Sequence, residues 1–416
     1  MQVRNILNRI HKHKGFVYGE ERWGPADLPL SIEVPIRAHK RSRGRCSVCE
    51  RRGPGYDTLP LRRYEFIPLW GILIFFLYAP RRINCPLCGI HVEKLPWAQG
   101  KETLCLSYQW FLARWAKKLS WTQVADSFGT SYESVFRSVQ MAVYWGLKHR
   151  ELSGIRAIGV DEILWLRGKF VTLVYEISEG RKRLLHIARD RTELSLRSFF
   201  ELLGTARSQR LLYVCSDMWR PYLNVILQRA SQALNILDRF HIMKKFNEAI
   251  DQVRREETQL LKQEGCEPLL HRARWCLLKR TENLTERQAS KLSELLRYNL
   301  RSVRAYLLRE EFQRFWQYVS ASAAGKFLDD LCRVAMRSRL APIKKVVATL
   351  RNHRSLILNW FSAQGSLSSG VVEGLNNKAK VVLRNAYGFR EYKTLEISLY
   401  HTLGALPEPP ITHRFR

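Results

Sequence analysis

Two apolar, strand-like runs each end in an aspartate, and this feature constrains the fold more than any other. Asp161 follows the run AIGV, and Asp217 follows the run YVCS. Adjacent strands of one sheet would place both side chains at the same edge. In a chain with a formal net charge of +31, acidic groups at such positions need a physical reason. Mg²⁺ prefers carboxylate oxygens as ligands, so a metal site is one explanation. Strand-end or helix-capping aspartates are the alternative.

A third carboxylate, Glu373 in GVVEGLNNKAK, opens a helix-like segment far downstream. It could reach the same edge, although nothing local in the sequence proves that it does. Three carboxylates held together without a cation would raise at least one pKa through repulsion. We therefore expect Asp161, Asp217 and Glu373 to hold two Mg²⁺ (or Mn²⁺), an arrangement that suits phosphoryl transfer.

Other side chains compete for roles near this site. Asp238, in LDRFHIMKK, also ends an apolar run and could be a metal ligand or a supporting group. Three basic residues follow Glu373 on the same helix-like segment, and they would form either a DNA-contacting face or a solvated one. They are Lys378, Lys380 and Arg384.

The charge balance favours a nucleic-acid partner. Lys and Arg number 69 against 38 Asp and Glu, an excess that attracts phosphate backbones.

The longest apolar run, residues 66–78, is too short for a bilayer, which needs roughly 20 residues. No signal-peptide pattern opens the chain. Nine cysteines, an odd number, fit a reducing compartment better than a disulfide scaffold. We expect a cytoplasmic, nucleoid-associated protein with no membrane partner.

Four cysteines in two C-x-x-C pairs predict one structural Zn²⁺. The predicted ligands are Cys46, Cys49, Cys85 and Cys88. The segment between the pairs predicts two strands that turn at Gly71 and bring the pairs together as a zinc ribbon. The alternative is that the cysteines are ordinary core residues. That alternative suits Cys215, Cys276 and Cys332 better than it suits the four paired cysteines. Residues 1–45 are basic and predicted to be irregular.

Residues 103–150 have a helical pattern that includes a predicted helix-turn-helix. A short helix would end at Gly129, and a second helix would begin after the N-cap Ser131. The second helix would enter the major groove of DNA, and an ordinary helical hairpin is the alternative. The predicted DNA contacts on it are Tyr132, Phe136 and Arg137.

From residue 155 the pattern changes to strands. Three β-rich runs separated by short turns predict an antiparallel meander, and helix, strand, helix and strand follow. The fold class is therefore α/β, in the order of an RNase H-like domain. The predicted parts are a basic N-terminal region with zinc ribbon (1–100), a helix-turn-helix (101–152), the first part of the core (153–241), a helical insertion (242–364) and the closing helix with C-terminal tail (365–416).

The motifs, in this order, resemble bacterial insertion-sequence transposases of the ISL-three group. The blocks that carry the resemblance are IGVDEI, CSDMWRPY, LDRFHIMKKFNEAIDQVRR and VVEGLNNKAKVVLRNAYGF. The resemblance implies a DDE transposase whose RNase H-like core is interrupted by a helical insertion. By motif, Asp161 and Asp217 match the family's two aspartates and Glu373 its glutamate. Asp238 matches an aspartate to which we assign a supporting role.

The expected function is DNA transposition by cut-and-paste. The enzyme would bind the terminal inverted repeats of its insertion sequence, cleave them, and join the freed 3′-hydroxyl to target DNA. At least a dimer is expected in the DNA complex, because two ends must be paired. The alternatives are a stand-alone metal-dependent nuclease and a non-catalytic DNA-binding regulator derived from a transposase.

Overall fold

The computed structural model describes residues 3–26, 30–265, 268–363, 370–386 and 388–410. The chain forms two compact units. Unit 1 comprises residues 1–151 and 385–416, and unit 2 comprises residues 152–384. The predicted α/β class is confirmed. Within the described ranges, no helix is both long and apolar enough to cross a bilayer.

Unit 1 begins with a helix and eight strands. In chain order these are α1 (Val3–Ile10), β1 (Phe16–Tyr18), β2 (Arg22–Trp23), β3 (Ser31–Ala38), β4 (Gly55–Thr58), β5 (Arg62–Leu69), β6 (Ile72–Tyr78), β7 (Arg81–Cys85) and β8 (Gly89–Val92). One sheet has the order β1-β3-β6-β5, with β2 also paired to β3. The expectation of an irregular segment over residues 1–45 is wrong, because apolar residues spaced among the charges, such as Leu7, Val34 and Ile36, are buried.

The predicted turn at Gly71 is confirmed, since it joins β5 to β6 with a φ of +79°. This hairpin belongs to the first sheet, however, and not to the cysteine-bearing part. A second, antiparallel sheet of β4, β7 and β8 carries Cys85 at the end of β7. The turn between β7 and β8 therefore presents the second C-x-x-C pair.

Three helices complete this part of unit 1: α2 (Leu106–Trp115), α3 (Trp121–Phe128) and α4 (Tyr132–His149). A capping box opens α3, in which Ser120 Oγ accepts from the Gln123 amide and the Gln123 side chain accepts from the Ser120 amide. Gly129 ends α3 at a φ of +60°, a left-handed conformation that favours glycine. Ser131 caps α4 by accepting from the Ser134 amide at 3.1 Å. The predicted helix pair, turn and cap are confirmed.

Unit 2 is built on a five-stranded sheet. Its strands are β9 (Ala157–Leu166), β10 (Lys169–Glu176), β11 (Arg183–Arg189), β12 (Tyr213–Ser216) and β13 (Leu234–Leu237). The order is β11-β10-β9-β12-β13. The first three strands form the predicted antiparallel meander, and β12 runs parallel to both β9 and β13. Parallel pairing requires crossover connections, and helices supply them here.

The crossover helices are α5 (Glu193–Leu203), α6 (Thr205–Ser208) and α7 (Arg220–Arg229). Ile158 and Val160 of β9 are buried in one core with Phe199 of α5 and Tyr222 of α7. Each large apolar side chain buried in this way contributes about 1.5–3 kcal/mol to stability. Because strand residues alternate between faces, Gly159 and Asp161 point to the opposite side of the sheet.

The long connection after β13 is helical throughout the described residues. It contains α8 (Arg239–Gln263), α9 (Arg274–Leu278), α10 (Glu286–Leu295), α11 (Arg301–Gln313), α12 (Ala321–Arg337), α13 (Ala341–Asn352) and α14 (Arg354–Ser362), with 3₁₀ turns at Thr281–Asn283 and Arg314–Gln317. Phe246, Phe312 and Phe315 lie at the centre of its core. The predicted helical character of this segment is confirmed, and its domain boundaries stay a prediction.

The last helix of unit 2, α15 (Gly370–Asn385), carries Glu373 as predicted. The break predicted just before it, at 365–370, lies outside the described residues except for Gly370. A Cβ added at Gly159 would lie 2.3 Å from Cγ2 of Val372. Only glycine on β9 therefore permits α15 to approach so closely. The final helix, α16 (Tyr392–Leu403), belongs to unit 1.

Candidate active site

Three aspartates occupy equivalent positions on neighbouring parallel strands, one within β9 and two directly after the ends of β12 and β13. Cys215 of β12 is aligned with Gly159 of β9 and with Ile236 of β13. The residues that lie two positions beyond this aligned set are Asp161, Asp217 and Asp238. Adjacent strands are about 4.8 Å apart, so the three side chains share one edge of the sheet. We call them the aspartate row.

Asp161 is held from two sides. Its Oδ1 accepts from the Glu162 amide at 2.8 Å, and its Oδ2 accepts from Asn376 Nδ2 at 2.5 Å. Burial raises the pKa of Asp161; the Glu162 amide and His241 oppose this rise, and the charges of Asp238 and Asp217 add to it. A bound cation would relieve this repulsion between carboxylates.

Asp217 forms a charged cluster with a neighbouring arginine. Its Oδ1 accepts from the Trp219 amide at 2.9 Å, and its Oδ2 accepts from Arg191 Nη2 at 2.5 Å. Nε of Arg191 also lies 2.8 Å from Oε1 of Glu162. Burial and the charge of Asp217 raise the pKa of Glu162 to about 7, against the opposing charge of Arg191. The side chain of Glu162 therefore contacts Arg191, whereas the side chain of Asp161 contacts Asn376 of α15.

Asp238 performs a structural task within the row. Its Oδ1 accepts from the Phe240 amide at 2.7 Å and so caps α8. Its Oδ2 lies 3.2 Å from Nδ1 of His241. Burial alone would lower the pKa of His241, but the contact with Asp238 and the charges of Asp161 and Asp217 raise it. These contacts fit the supporting role predicted for Asp238, which stays a prediction.

Glu373 is exposed in the first turn of α15, three residues before Asn376. The helix is therefore anchored to Asp161 one turn beyond the glutamate. We searched the described residues for groups of three or more Cys, His, Asp or Glu side chains that lie close enough to share an ion. The four cysteines of unit 1 form such a group, and within these residues the carboxylates do not. The charges of Asp161 and Asp217 interact, and Glu373 lies on the helix that Asn376 attaches to Asp161, but the fold does not gather all three carboxylates.

The four predicted zinc ligands do meet in unit 1. The sulfur atoms of Cys46, Cys49, Cys85 and Cys88 all lie within 4.8 Å of one another. Amide groups of Leu87 and Cys88 donate to Cys85 and lower its pKa, whereas the neighbouring cysteines raise the pKa of Cys88; a bound cation would favour the thiolate form of all four. A four-thiolate set suits one tetrahedral Zn²⁺. Cys215, Cys276 and Cys332 are buried elsewhere, as predicted.

Comparison with known proteins identifies the family. A model of the ISL-three group of DDE transposases, described as a transposase, matches residues 158–399, more than half of the chain. The chain belongs to the ISL-three family of DDE transposases. The match extends from β9 into α16 and includes the aspartate row and Glu373.

The transposase also resembles curated relatives over most of its length. It is 27% identical over 405 residues to the transposase for insertion sequence element IS1001 of Bordetella parapertussis, covering 95% of this chain and 98% of that protein. It is 28% identical over 398 residues to the transposase for insertion sequence element IS1557 of Mycobacterium tuberculosis strain H37Rv, covering 89% and 88% respectively. The resemblance stated from the motifs is confirmed.

The residues predicted to contact DNA in unit 1 of the transposase lie on α4. The rings of Tyr132 and Phe136 pack against Trp121 of α3, with centroids 5.9 and 5.7 Å away. Arg137 is exposed and pairs with Glu133 at 2.9 Å. The aromatic pair therefore stabilises the α3–α4 packing and still leaves Tyr132 about half exposed, at 49%. Their contact with DNA stays a prediction.

The basic residues predicted to contact DNA in unit 2 are all exposed on α15. They are Lys378, Lys380 and Arg384. Val372, Leu375, Asn376, Ala379 and Leu383 form the buried face of the same helix. The basic residues therefore lie off the face that packs against the core. Their contact with DNA is likewise a prediction.

Sequence reasoning missed two side chains that shape the aspartate row. Asn376 connects it to α15, accepting from the Tyr175 hydroxyl at 2.8 Å while donating to Asp161. Arg191 connects it to the loop after β11. Nothing in the sequence next to Asn376 or Arg191 indicates these contacts, because the residues that they contact are distant along the chain. The motif around Asn376 is visible in the sequence, but its contact is not.

Proposed function

We propose that this transposase cleaves DNA at the ends of its insertion sequence and joins those ends to target DNA. Asp161, Asp217 and Glu373 would be the catalytic residues. The observation that carries the proposal is the equivalent placement of Asp161 and Asp217 on adjacent parallel strands, where their charges interact. The strand order and direction of unit 2 support an RNase H-like core, in which such an edge is the active site.

The donor set fits Mg²⁺ or Mn²⁺. Each carboxylate offers about four lone-pair sites, and the hydrogen bonds to Asp161 and Asp217 leave some of them free. Hard oxygen donors suit these ions better than zinc. Two bound cations would stabilise the attacking and leaving oxygens of an in-line phosphoryl displacement. The chain itself orients the two aspartates, Asp161 through Asn376 and Asp217 through Arg191.

Glu373 would join the aspartates when DNA and cations are bound. It is exposed at the start of α15, and Asn376 holds the next turn against Asp161. Because α15 is already held against Asp161, only the flexible side chain of Glu373 would have to move to reach the cations. In the same state Asp238 would keep α8 capped and hold His241, without a direct part in the chemistry.

DNA recognition would divide between phosphate and base contacts. We assign the inverted repeats to the zinc-binding part and to a helix-turn-helix formed by α3 and α4, with Tyr132, Phe136 and Arg137 at the DNA. Lys378, Lys380 and Arg384 would contact backbone phosphates near the cleaved strand. Because two ends must be paired, the active DNA complex would contain at least two copies of the chain.

The test uses the purified transposase and the DNA that flanks its gene, with Mg²⁺ or Mn²⁺. Wild type is expected to nick the element's ends and to join them to a second DNA. Asp161→Asn and Asp217→Asn are expected to bind the ends normally but not to cleave them. Asp330→Asn, an exposed aspartate of the same unit, is the matched control and should cleave normally.

Other results would select the alternatives. Cleavage without joining would identify a stand-alone nuclease, and binding without cleavage by wild type would identify a regulator. Unchanged cleavage by Asp161→Asn would refute the site assignment. Matching inverted repeats and a short duplication beside the gene would support transposition independently.

A further inference from the structure

Arg191 touches three side chains at the edge of the sheet. It lies between β11 and α5, just before Thr192, the N-cap of α5. Its guanidinium reaches Asp217 Oδ2 through Nη2 at 2.5 Å and Glu162 Oε1 through Nε at 2.8 Å. Its Cζ also lies 4.6 Å from the centroid of the Trp219 ring. One side chain therefore links β9 to the segment that follows β12.

These contacts are stronger than an ordinary surface ion pair. The side chains of Glu162 and Asp217 are only 9% and 12% exposed, and that of Arg191 is 35% exposed. Exposed pairs are weakened by solvent and by side-chain entropy, whereas partly buried charges are screened much less. A cation–π contact with Trp219 further restricts the guanidinium.

Both oxygens of Asp217 are consequently fixed. The Trp219 amide holds Oδ1 and Arg191 holds Oδ2. Each oxygen retains an acceptor position, so the carboxylate can still bind a cation while its plane is set by the protein. We propose that Arg191 is a positioning residue, which holds Asp217 beside Asp161 in the orientation that binds a divalent cation. This inference rests on the proposed role of Asp217 in metal-dependent cleavage.

The two-point contact requires arginine. Arginine donates through Nη2 to Asp217 while its Nε stays within ion-pair distance of Glu162, whereas lysine offers a single ammonium. Glu162 thus acts as the anchor that keeps Arg191 in place. The same logic predicts that the charge of residue 191 is insufficient without the shape of the side chain.

The first experiment measures cation binding without DNA and without catalysis. Free Mn²⁺ is followed by electron paramagnetic resonance during titration of the full chain. Arg191→Ala and Arg191→Lys are each expected to weaken Mn²⁺ binding about tenfold, the loss of one charge-assisted hydrogen bond. Arg197→Ala is the matched control, because Arg197 pairs with Glu193 on α5 and has no contact with the aspartate row. It should bind Mn²⁺ as wild type does.

A second experiment tests shape by chemical rescue. Guanidinium at millimolar concentration should restore Mn²⁺ binding and DNA cleavage to Arg191→Ala, and methylammonium should not. Glu162→Gln removes the charge of the anchor, and we expect it to weaken Mn²⁺ binding about threefold by loosening the hydrogen bond from Arg191 to Asp217. This second variant keeps the test valid if Arg191→Ala folds poorly.

The outcomes separate this inference from the proposed function. If Asp217→Asn abolishes cleavage but both Arg191 variants bind Mn²⁺ as tightly as wild type, the positioning role is overturned and the active site stands. If Asp217→Asn still cleaves, the active-site assignment itself fails. Rescue by methylammonium as efficient as rescue by guanidinium would also overturn the positioning role, because charge alone would then suffice.

Discussion

The side-chain amide of Asn376 donates to Oδ2 of Asp161 at 2.5 Å and joins residues that lie 215 positions apart. The same amide accepts from the Tyr175 hydroxyl at 2.8 Å. Asn376 is buried, with 3% exposure. This one side chain therefore ties α15, the helix that carries Glu373, to two strands of the sheet. The position of α15 relative to Asp161 depends on it.

Asn376→Ala should reduce both stability and cleavage. The change leaves the buried Tyr175 hydroxyl without its acceptor and Oδ2 of Asp161 without its donor, and unsatisfied buried groups cost about 1–3 kcal/mol. We expect the free energy of unfolding in urea to fall by that amount and DNA cleavage to fall with it. Asn377→Ala, at the exposed neighbouring position, should change neither quantity. Equal effects of the two substitutions would contradict the role of Asn376.

Gly159→Ala should displace α15 from β9. Its Cβ would lie 2.3 Å from Cγ2 of Val372, and overpacking of this kind costs about 1–3 kcal/mol. Adding Val372→Ala removes the opposing methyl group, so the double variant should recover part of the stability lost by Gly159→Ala. A double-mutant cycle measured by urea unfolding tests this coupling. Gly374→Ala has open space around its Cβ and should not destabilise, because alanine favours a helix by about 1 kcal/mol. Strict additivity would show that the two residues do not clash.

Removal of one zinc ligand should unfold the cysteine-bearing part of unit 1. Structural zinc typically contributes folding free energy of order 10 kcal/mol or more. Cys46→Ser should therefore reduce bound zinc, measured by elemental analysis, from one equivalent to near zero. In this variant, the segments that contain the four cysteines should also become sensitive to protease. Cys332→Ser, at a buried thiol outside the cluster, should retain full zinc. A wild-type protein that contains no stoichiometric zinc would rule out the site.

Acid should destabilise the transposase through His401. Burial and the positive charge of Lys117 lower its pKa to about 3, and its Nε2 has no hydrogen-bond partner in the described part of the chain. The unfolded chain takes up the proton near pH 6.5, and the folded chain only near pH 3. Protonation in that window therefore favours unfolding, and stability is lost as the pH falls. Between pH 7.5 and 5.5 this residue should remove about 1.4 kcal/mol.

Urea unfolding of wild type and His401→Gln at the two pH values measures this term. The pH-dependent loss should be smaller in His401→Gln by about the same 1.4 kcal/mol. His149→Gln, at the exposed end of α4, should retain the full pH dependence of wild type. An identical loss in wild type and His401→Gln would assign the acid sensitivity to other groups.

Local patterns in the sequence were sufficient for the strands of unit 2 and for the paired helices α3 and α4. Apolar, β-rich runs predicted β9–β13, and capping residues such as Ser131 predicted where α4 begins. Two C-x-x-C pairs predicted a cluster that the structure contains. The strands and caps depend on neighbours within a few residues, whereas the cluster joins two pairs that lie 36 positions apart and was predicted from the ligand chemistry of the paired motifs. The irregular N-terminal segment was predicted wrongly, because its sparse apolar residues gain a core only from distant strands.

By itself the sequence determined the family, the α/β class, the two C-x-x-C pairs and the two aspartates that follow apolar runs. Only the tertiary structure decided that Asp238 stands in the same row, that Arg191 and Asn376 fix its carboxylates, and that Glu373 stays exposed beside it. The physical reason is that distant segments pack together: the strand order β9-β12-β13 aligns the three aspartates, and α15 reaches β9 from 215 positions further along the chain. Contacts of that kind produce no periodic pattern in the sequence, because each one depends on how whole helices and strands pack.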